Sequence, residues 1–182
     1  MNVTAETLER AIAFAVEKHI GVIRKGDGRP YILHPMSVLI TLLSIKQSKN
    51  AFLLATAAIL HDVVEDCDVT IEEIGKLFGW QVASLVDELT SDNEKIKEMG
   101  KTAYLAHKMG KMSSYALCIK LVDRLDNIKD MKTMNESFRR KTIESTNVIL
   151  EYIENNRKLS KTHEILIGFI KLEMSHYKLV TA

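Results

Sequence analysis

Residues 51–66 read AFLLATAAILHDVVED, an apolar run that closes on His61, Asp62, Glu65 and Asp66. The first ten residues are apolar on nearly every face, so a helix made from them is expected to be largely buried. Carboxylates are costly to bury unless they are paired or bind a cation, and a helix C-terminus disfavours negative charge. The sequence therefore places acidic groups where stability alone would not, and a bound metal cation would relieve both costs.

The composition is that of a globular protein with no strong charge preference. The chain has 182 residues, 46% hydrophobic and 27% charged, and a formal net charge of +1. This length suits one domain with its own core, and the near-neutral charge argues against broad attraction to nucleic acid or an anionic membrane. No apolar run reaches the length of a membrane span, the N-terminus does not resemble a signal peptide, and Cys67 and Cys118 are expected to be reduced. We therefore expect a cytoplasmic protein with neither nucleic acid nor a membrane as partner.

Helix-period patterns dominate the chain, and no alternating pattern predicts a strand. We predict an all-α fold, a compact helical bundle of roughly eight to ten helices in a single domain spanning residues 1–182. One extended loop, residues 21–30, is rich in glycine and basic residues. The predicted helices cover residues 5–19, 35–45, 51–66, 70–79, 80–89, part of 91–110, 113–131, 136–155 and 160–179.

Further polar residues can join the acidic cluster to make a metal site. His34 opens the second predicted helix, and Asp123 and Asn127 share one helical face at i and i+4. His61 and Asp62 are adjacent, so both can reach one centre only from a helix end or a bend. Two imidazoles and two carboxylates suit Mn, Fe, Co or Zn better than calcium.

These residues resemble a known family. His34, the His61-Asp62 pair and a distant Asp123 form the H…HD…D signature of the HD-domain metal-dependent phosphohydrolases. Four motifs look like those of the hydrolase domain of Rel/Spo-type alarmone enzymes: AVEKH at 15–19, RKGDGRPYILHP at 24–35, AILHDVVED at 58–66 and KLVDRLDN at 120–127. The resemblance covers residues 11–130. Because only about 50 residues follow it, the chain is most similar to the small, hydrolase-only members.

The resemblance implies a (p)ppGpp 3′-pyrophosphohydrolase that depends on Mn²⁺ or another divalent transition metal, with ppGpp or pppGpp as its nucleotide substrate. It implies that the pair Glu65 and Asp66 activates or orients the attacking water. It implies that Arg24, Lys25 and Asn127 contact the substrate. The metal ligands it implies are His34, His61, Asp62 and Asp123.

Other positions leave the interpretation open. Cys67 stands where the family usually has Thr, and Asp126 stands where His or Tyr often precedes the Asn. Asp126 would place a negative charge near a phosphorylated substrate. Tyr31 and His19 match commonly aromatic or His positions, but helix and loop packing explains them equally well.

Three functional hypotheses follow from the sequence. The first is the ppGpp hydrolase. The second keeps the metal site but changes the substrate to another nucleotide, such as NADPH at its 2′-phosphate. The third is a non-catalytic module that senses a nucleotide. The oligomeric state is open, and a homo-oligomer is compatible with the sequence.

Overall fold

The computed structural model describes residues 3–26 and 28–177. Within these residues the predicted all-α fold is confirmed: eleven α-helices and one 3-10 helix form the structure, and the only extended pairing is an isolated antiparallel bridge between Ile23 and Pro30. In the same part of the chain, no helix is long and apolar enough to cross a membrane. The chain divides into two compact units, Met1–Ser91 and Asp92–Ala182. The prediction of one domain over the whole chain stays a prediction.

The first unit is built around its third helix. Its helices are α1 (Ala5–Lys18), α2 (Leu33–Ile45), α3 (Ala51–Ile59), α4 (Val63–Asp66), α5 (Ile71–Phe78) and α6 (Trp80–Leu89). Helix α3 packs against α1, α2 and α6, and every residue from Leu54 to Ile59 is buried. Since a fully buried aliphatic side chain contributes about 1.5–3 kcal/mol, α3 is a firm base for the residues that follow it.

The predicted single helix over residues 51–66 is wrong, because the chain turns between α3 and α4. Leu60 (φ −100°, ψ 1°) and Asp62 (φ −106°, ψ −7°) leave ideal helical geometry. In a continuous helix the Ala58 carbonyl would accept the amide hydrogen of residue 62. Here that carbonyl faces the Nδ1 atom of His61 at 2.8 Å. The turn provides the bend that adjacent His61 and Asp62 need to face one centre.

The other helix boundaries of the first unit follow local signals. The Thr70 side chain caps α5 by accepting a hydrogen bond from the Glu73 amide at 3.1 Å. Gly79, with φ +96°, separates α5 from α6 in a conformation that favours glycine. Helix α2 begins two residues earlier than predicted, so His34 lies in its first turn and Pro35 occupies its third position.

The second unit pairs its longer helices. Its elements are α7 (Asn93–Met99), α8 (Lys101–Lys111), α9 (Ser114–Lys129), a 3-10 helix (Asp130–Thr133), α10 (Glu136–Asn156) and α11 (Lys161–Ser175). Helix α9 packs against α11, and α10 packs against α8. The Ser113 side chain caps α9, accepting a hydrogen bond from the Ala116 amide at 3.2 Å. Residues 178–179, at the end of the last predicted helix, lie outside the described residues.

Candidate metal centre

Three of the predicted metal ligands converge within the first unit. His34 comes from the first turn of α2, and His61 and Asp62 come from the turn between α3 and α4. The Nε2 atoms of His34 and His61 lie 3.4 Å and 3.0 Å from Oδ2 of Asp62. The two imidazoles meet edge to face with centroids 5.2 Å apart. The three residues are buried: the exposed fraction is 2% for His34, 1% for His61 and 9% for Asp62.

The chemistry of these donors fits a divalent metal. Since Nδ1 of His61 faces the Ala58 carbonyl, the proton belongs on Nδ1 and the lone pair belongs on Nε2, which faces Asp62. A metal-binding imidazole commonly has this arrangement. Ligand atoms of His34 and His61 lie within 4.8 Å of each other, and nitrogen donors beside a carboxylate suit a transition metal.

Tyr31 adds a contact that the sequence did not reveal. Its hydroxyl donates a hydrogen bond of 2.7 Å to Oδ2 of Asp62. Its ring stacks on His19, with centroids 5.2 Å apart and planes 19° apart, and meets the edge of His34 at 5.7 Å. Burial, together with the negative charges of Asp62 and Asp66, raises the pKa of Tyr31 above its ordinary value. The hydroxyl is therefore a protonated donor at neutral pH.

The predicted catalytic pair lies on α4, one turn beyond Asp62. Glu65 and Asp66 are both exposed. Oε1 of Glu65 accepts a hydrogen bond of 2.6 Å from the backbone amide of Ser91, which restrains that carboxylate. Because these two carboxylates are exposed, they can accept a proton from a water molecule or orient that water. Asp62 is buried and cannot reach solvent in the same way. The catalytic role of the pair stays a prediction.

The two predicted basic residues of the loop differ in their surroundings. Arg24 is buried and Lys25 is exposed. The Arg24 amide donates a hydrogen bond of 2.8 Å to the Arg29 carbonyl, and the Tyr31 amide donates one of 2.8 Å to Val22. These backbone bonds close the loop, so Lys25 is the member of the pair that faces solvent.

The remaining predicted ligand, Asp123, lies on α9 of the second unit. It is 5% exposed, and its carboxylate is held at both oxygens by residues of its own helix. The Nζ atom of Lys120 lies 2.8 Å from Oδ2, and Nδ2 of Asn127 donates a hydrogen bond to Oδ1. Asn127 is therefore a partner of Asp123 as well as a predicted substrate contact. Sequence reasoning gave Lys120 no role, although it lies in the same motif, and it placed Asp126, which is also buried, only as a departure.

Comparison with known proteins places these residues in a family. Residues 11–158 match the family model described as HD domain. Human MESH1, named guanosine-3′,5′-bis(diphosphate) 3′-pyrophosphohydrolase, is 35% identical over 132 residues, covering 72% of this chain and 73% of the human protein. The Drosophila melanogaster protein of the same name is 38% identical over 122 residues, covering 66% and 67%.

A longer relative and a solved structure agree with that placement. An Aquifex aeolicus protein named guanosine-3′,5′-bis(diphosphate) 3′-pyrophosphohydrolase is 37% identical over 145 residues, which are 78% of this chain but only 20% of that protein. The solved structure of a metazoan ortholog of SpoT, described as hydrolysing ppGpp, matches with a TM-score of 0.79 at 24% identity. That match covers 97% of this chain and 98% of the other, and it supports the fold. The chain belongs to the HD-domain family and, within it, to the Rel/Spo-type group that includes the MESH1 proteins.

Proposed function

We propose that this protein is a metal-dependent hydrolase that removes the 3′-diphosphate of ppGpp or pppGpp and yields GDP or GTP with pyrophosphate. The observation that carries the proposal is the match to the human and fly MESH1 proteins, which are named for this activity and of which the chain covers 73% and 67%. The buried cluster of His34, His61 and Asp62 also supports the proposal, because two imidazoles beside a carboxylate suit a divalent metal.

The proposed metal ligands are His34, His61, Asp62 and Asp123, and the proposed metal is Mn²⁺. The convergence of the first three side chains supports their assignment. Asp123 is supported by its burial and by its place in the last sequence motif, KLVDRLDN at 120–127. The chemistry that such a cation supplies is a bound water of lowered pKa and a polarised phosphoryl group.

The acidic pair of α4 is proposed to handle the proton of the attacking water. The oxygen of water bonds to the phosphorus that is attached to the ribose 3′-oxygen, and the bond between that phosphorus and the 3′-oxygen breaks. One carboxylate of Glu65 and Asp66 takes up the proton of the water while the other orients the water. The 3′-oxygen takes a proton from solvent as it leaves, pyrophosphate carries away the oxygen of the water, and the carboxylate returns its proton to solvent. The bond from the Ser91 amide supports a fixed position for Glu65.

Three residues are proposed to bind the nucleotide. Lys25, which is exposed, offers a point charge to phosphate, and Arg24 offers a planar guanidinium to the base or a phosphate. Asn127 offers an amide to the ribose or the leaving group. We also propose a cytoplasmic location, which suits a nucleotide substrate. The protein can be a monomer or a homo-oligomer.

A panel of nucleotides, assayed on one Mn²⁺-loaded preparation, tests the substrate. We expect pyrophosphate from ppGpp and pppGpp. Turnover of NADPH or another nucleotide with ppGpp left intact would establish the second hypothesis, and binding of ppGpp without turnover would establish the sensing module. The matched pair of variants is His61→Ala, expected to be inactive, and His107→Ala, an exposed histidine on α8 whose loss should leave the rate unchanged.

A further inference from the structure

Tyr31, at the edge of the proposed metal centre, is held in place by two contacts that do not involve its hydroxyl. The backbone amide of Tyr31 donates a hydrogen bond of 2.8 Å to Val22, next to the bridge between Ile23 and Pro30. The Tyr31 ring lies on the ring of His19. Both the main chain and the ring of Tyr31 are therefore fixed independently of its hydroxyl.

His19 is itself anchored, so the stack is a firm support. Only 3% of His19 is exposed, and its Nδ1 atom lies 2.8 Å from the carbonyl of Ala15 in the last turns of α1. Its Nε2 atom has no hydrogen-bond partner among the described residues. The imidazole thus uses one nitrogen to fix itself to α1 and its face to pack on Tyr31.

The hydroxyl of Tyr31 meets Asp62 at the oxygen that also faces the two imidazoles. Oδ2 of Asp62 lies 2.7 Å from the Tyr31 hydroxyl, 3.0 Å from Nε2 of His61 and 3.4 Å from Nε2 of His34. An aspartate side chain rotates about two bonds, and a fixed donor on one oxygen removes that freedom. Hydrogen-bonded partners of metal ligands orient them in this way.

We propose that Tyr31 is a positioning residue of the metal centre, and that its hydroxyl, held by the stack on His19, fixes the rotamer of Asp62 for metal binding. This inference rests on the proposed function, since it takes Asp62 to be a metal ligand. It assigns to the tyrosine of the loop a role in metal affinity and not in contact with the nucleotide.

The test is the affinity of the nucleotide-free protein for Mn²⁺, measured by calorimetric titration of the wild type, Tyr31→Phe and Tyr177→Phe. Y31F removes one oxygen and keeps the ring that packs on His19 and His34. Y177F makes the same deletion where the hydroxyl donates to the backbone carbonyl of Lys129 at 3.1 Å. We expect Y31F to bind Mn²⁺ about 10- to 100-fold more weakly and Y177F to bind it as the wild type does.

The outcomes separate this inference from the proposal beneath it. A wild type that binds no Mn²⁺ contradicts the proposed metal centre itself. A wild type and a Y31F protein that bind Mn²⁺ equally well contradict only the role of Tyr31. A Y31F protein that fails to unfold cooperatively without metal also contradicts that role, because the hydroxyl would then be a requirement of the fold.

Discussion

At the scale of single residues, two carboxylates three positions apart have opposite environments. Asp62 is buried against two imidazoles and a phenol. Glu65 is exposed and accepts one backbone hydrogen bond, from Ser91. The surroundings of a carboxylate determine its chemical role. An enclosed carboxylate among imidazoles suits a fixed metal ligand, whereas an exposed one can exchange protons.

The contrast predicts separable effects for Asp62→Asn and Glu65→Gln. D62N loses an anionic ligand, and we expect its affinity for Mn²⁺ to fall by more than about 100-fold, beyond the usual effect of a supporting residue. E65Q keeps the ligands and loses a proton acceptor, so we expect normal Mn²⁺ affinity and turnover lower by about 10²–10⁴-fold. Calorimetry and a pyrophosphate assay measure the two effects. Equal loss of metal in both variants would rule out this division of roles.

The residues at the site were only partly predictable from the sequence. The motif spacing pointed to His34, His61 and Asp62, and the structure brings these three together. Tyr31 was not predictable, because its hydroxyl meets an oxygen 31 positions away and a loop tyrosine has many packing roles. Lys120 was missed for a similar reason, since a lysine on an amphipathic helix is usually solvated.

At the scale of helices, two helical glycines differ in how closely another element approaches them. A Cβ on Gly110 of α8 would lie 2.8 Å from the ring of Tyr152 on α10, whereas a Cβ on Gly168 of α11 would meet no atom within 4 Å. The first glycine permits the packing of α8 against α10. The second is helical and open, so packing does not require it.

We predict that the substitution Gly→Ala changes the free energy of unfolding in opposite directions at these two positions. Gly110→Ala forces the Tyr152 ring to shift, at a cost of about 1–3 kcal/mol. Alanine in a helix returns about 0.5–1 kcal/mol, so we expect the free energy of unfolding to fall by up to about 2 kcal/mol. Gly168→Ala reduces the freedom of the unfolded chain and should raise that free energy by about 0.5–1 kcal/mol. Urea unfolding monitored by circular dichroism measures both changes. Stabilisation by G110A would show that the two helices do not pack as described.

Helix capping gives a second prediction at this scale. The Thr70 hydroxyl satisfies the Glu73 amide at the start of α5. Thr70→Ala should lower the free energy of unfolding by about 1 kcal/mol, and Thr70→Ser, which keeps the hydroxyl, should retain most of it. Urea midpoints of the two variants provide the comparison. Equal midpoints for T70A and T70S would mean that the cap contributes nothing.

Helix ends with such signals were predictable from the sequence, but the turn before α4 was not. Thr70, Gly79 and Ser113 mark boundaries through local chemistry that can be read along the chain. The apolar run into His61 carries no breaker, and periodicity therefore extended the helix through it. The break depends on a buried histidine that faces a backbone carbonyl, which a periodic pattern does not encode.

At the scale of the whole molecule, a ligand that binds only the folded protein stabilises it. Metal at 100 times its dissociation constant adds about 2.7 kcal/mol to the free energy of unfolding. We therefore expect a chelator to lower the unfolding temperature of the Mn²⁺-loaded protein. Asp123→Asn should abolish that difference. Asp130→Asn, the same change after the end of α9, should preserve it.

Scanning calorimetry with and without chelator tests this linkage. A D123N protein that is still stabilised by Mn²⁺ as strongly as the wild type would remove Asp123 from the ligand set. Loss of the effect in D130N would show that charge near α9, and not ligation by Asp123, controls metal binding.

The ppGpp hydrolase assignment is tested most directly by phosphorus NMR of ppGpp incubated with the Mn²⁺-loaded protein, with E65Q as the parallel sample. We expect the 3′-diphosphate resonances to be replaced by those of pyrophosphate while the 5′-diphosphate persists as GDP. In the time that the wild type takes to consume its substrate, we expect E65Q to leave nearly all of the ppGpp unhydrolysed. Unchanged ppGpp in the wild-type sample, or release of orthophosphate with the 3′-oxygen still phosphorylated, would contradict the assignment.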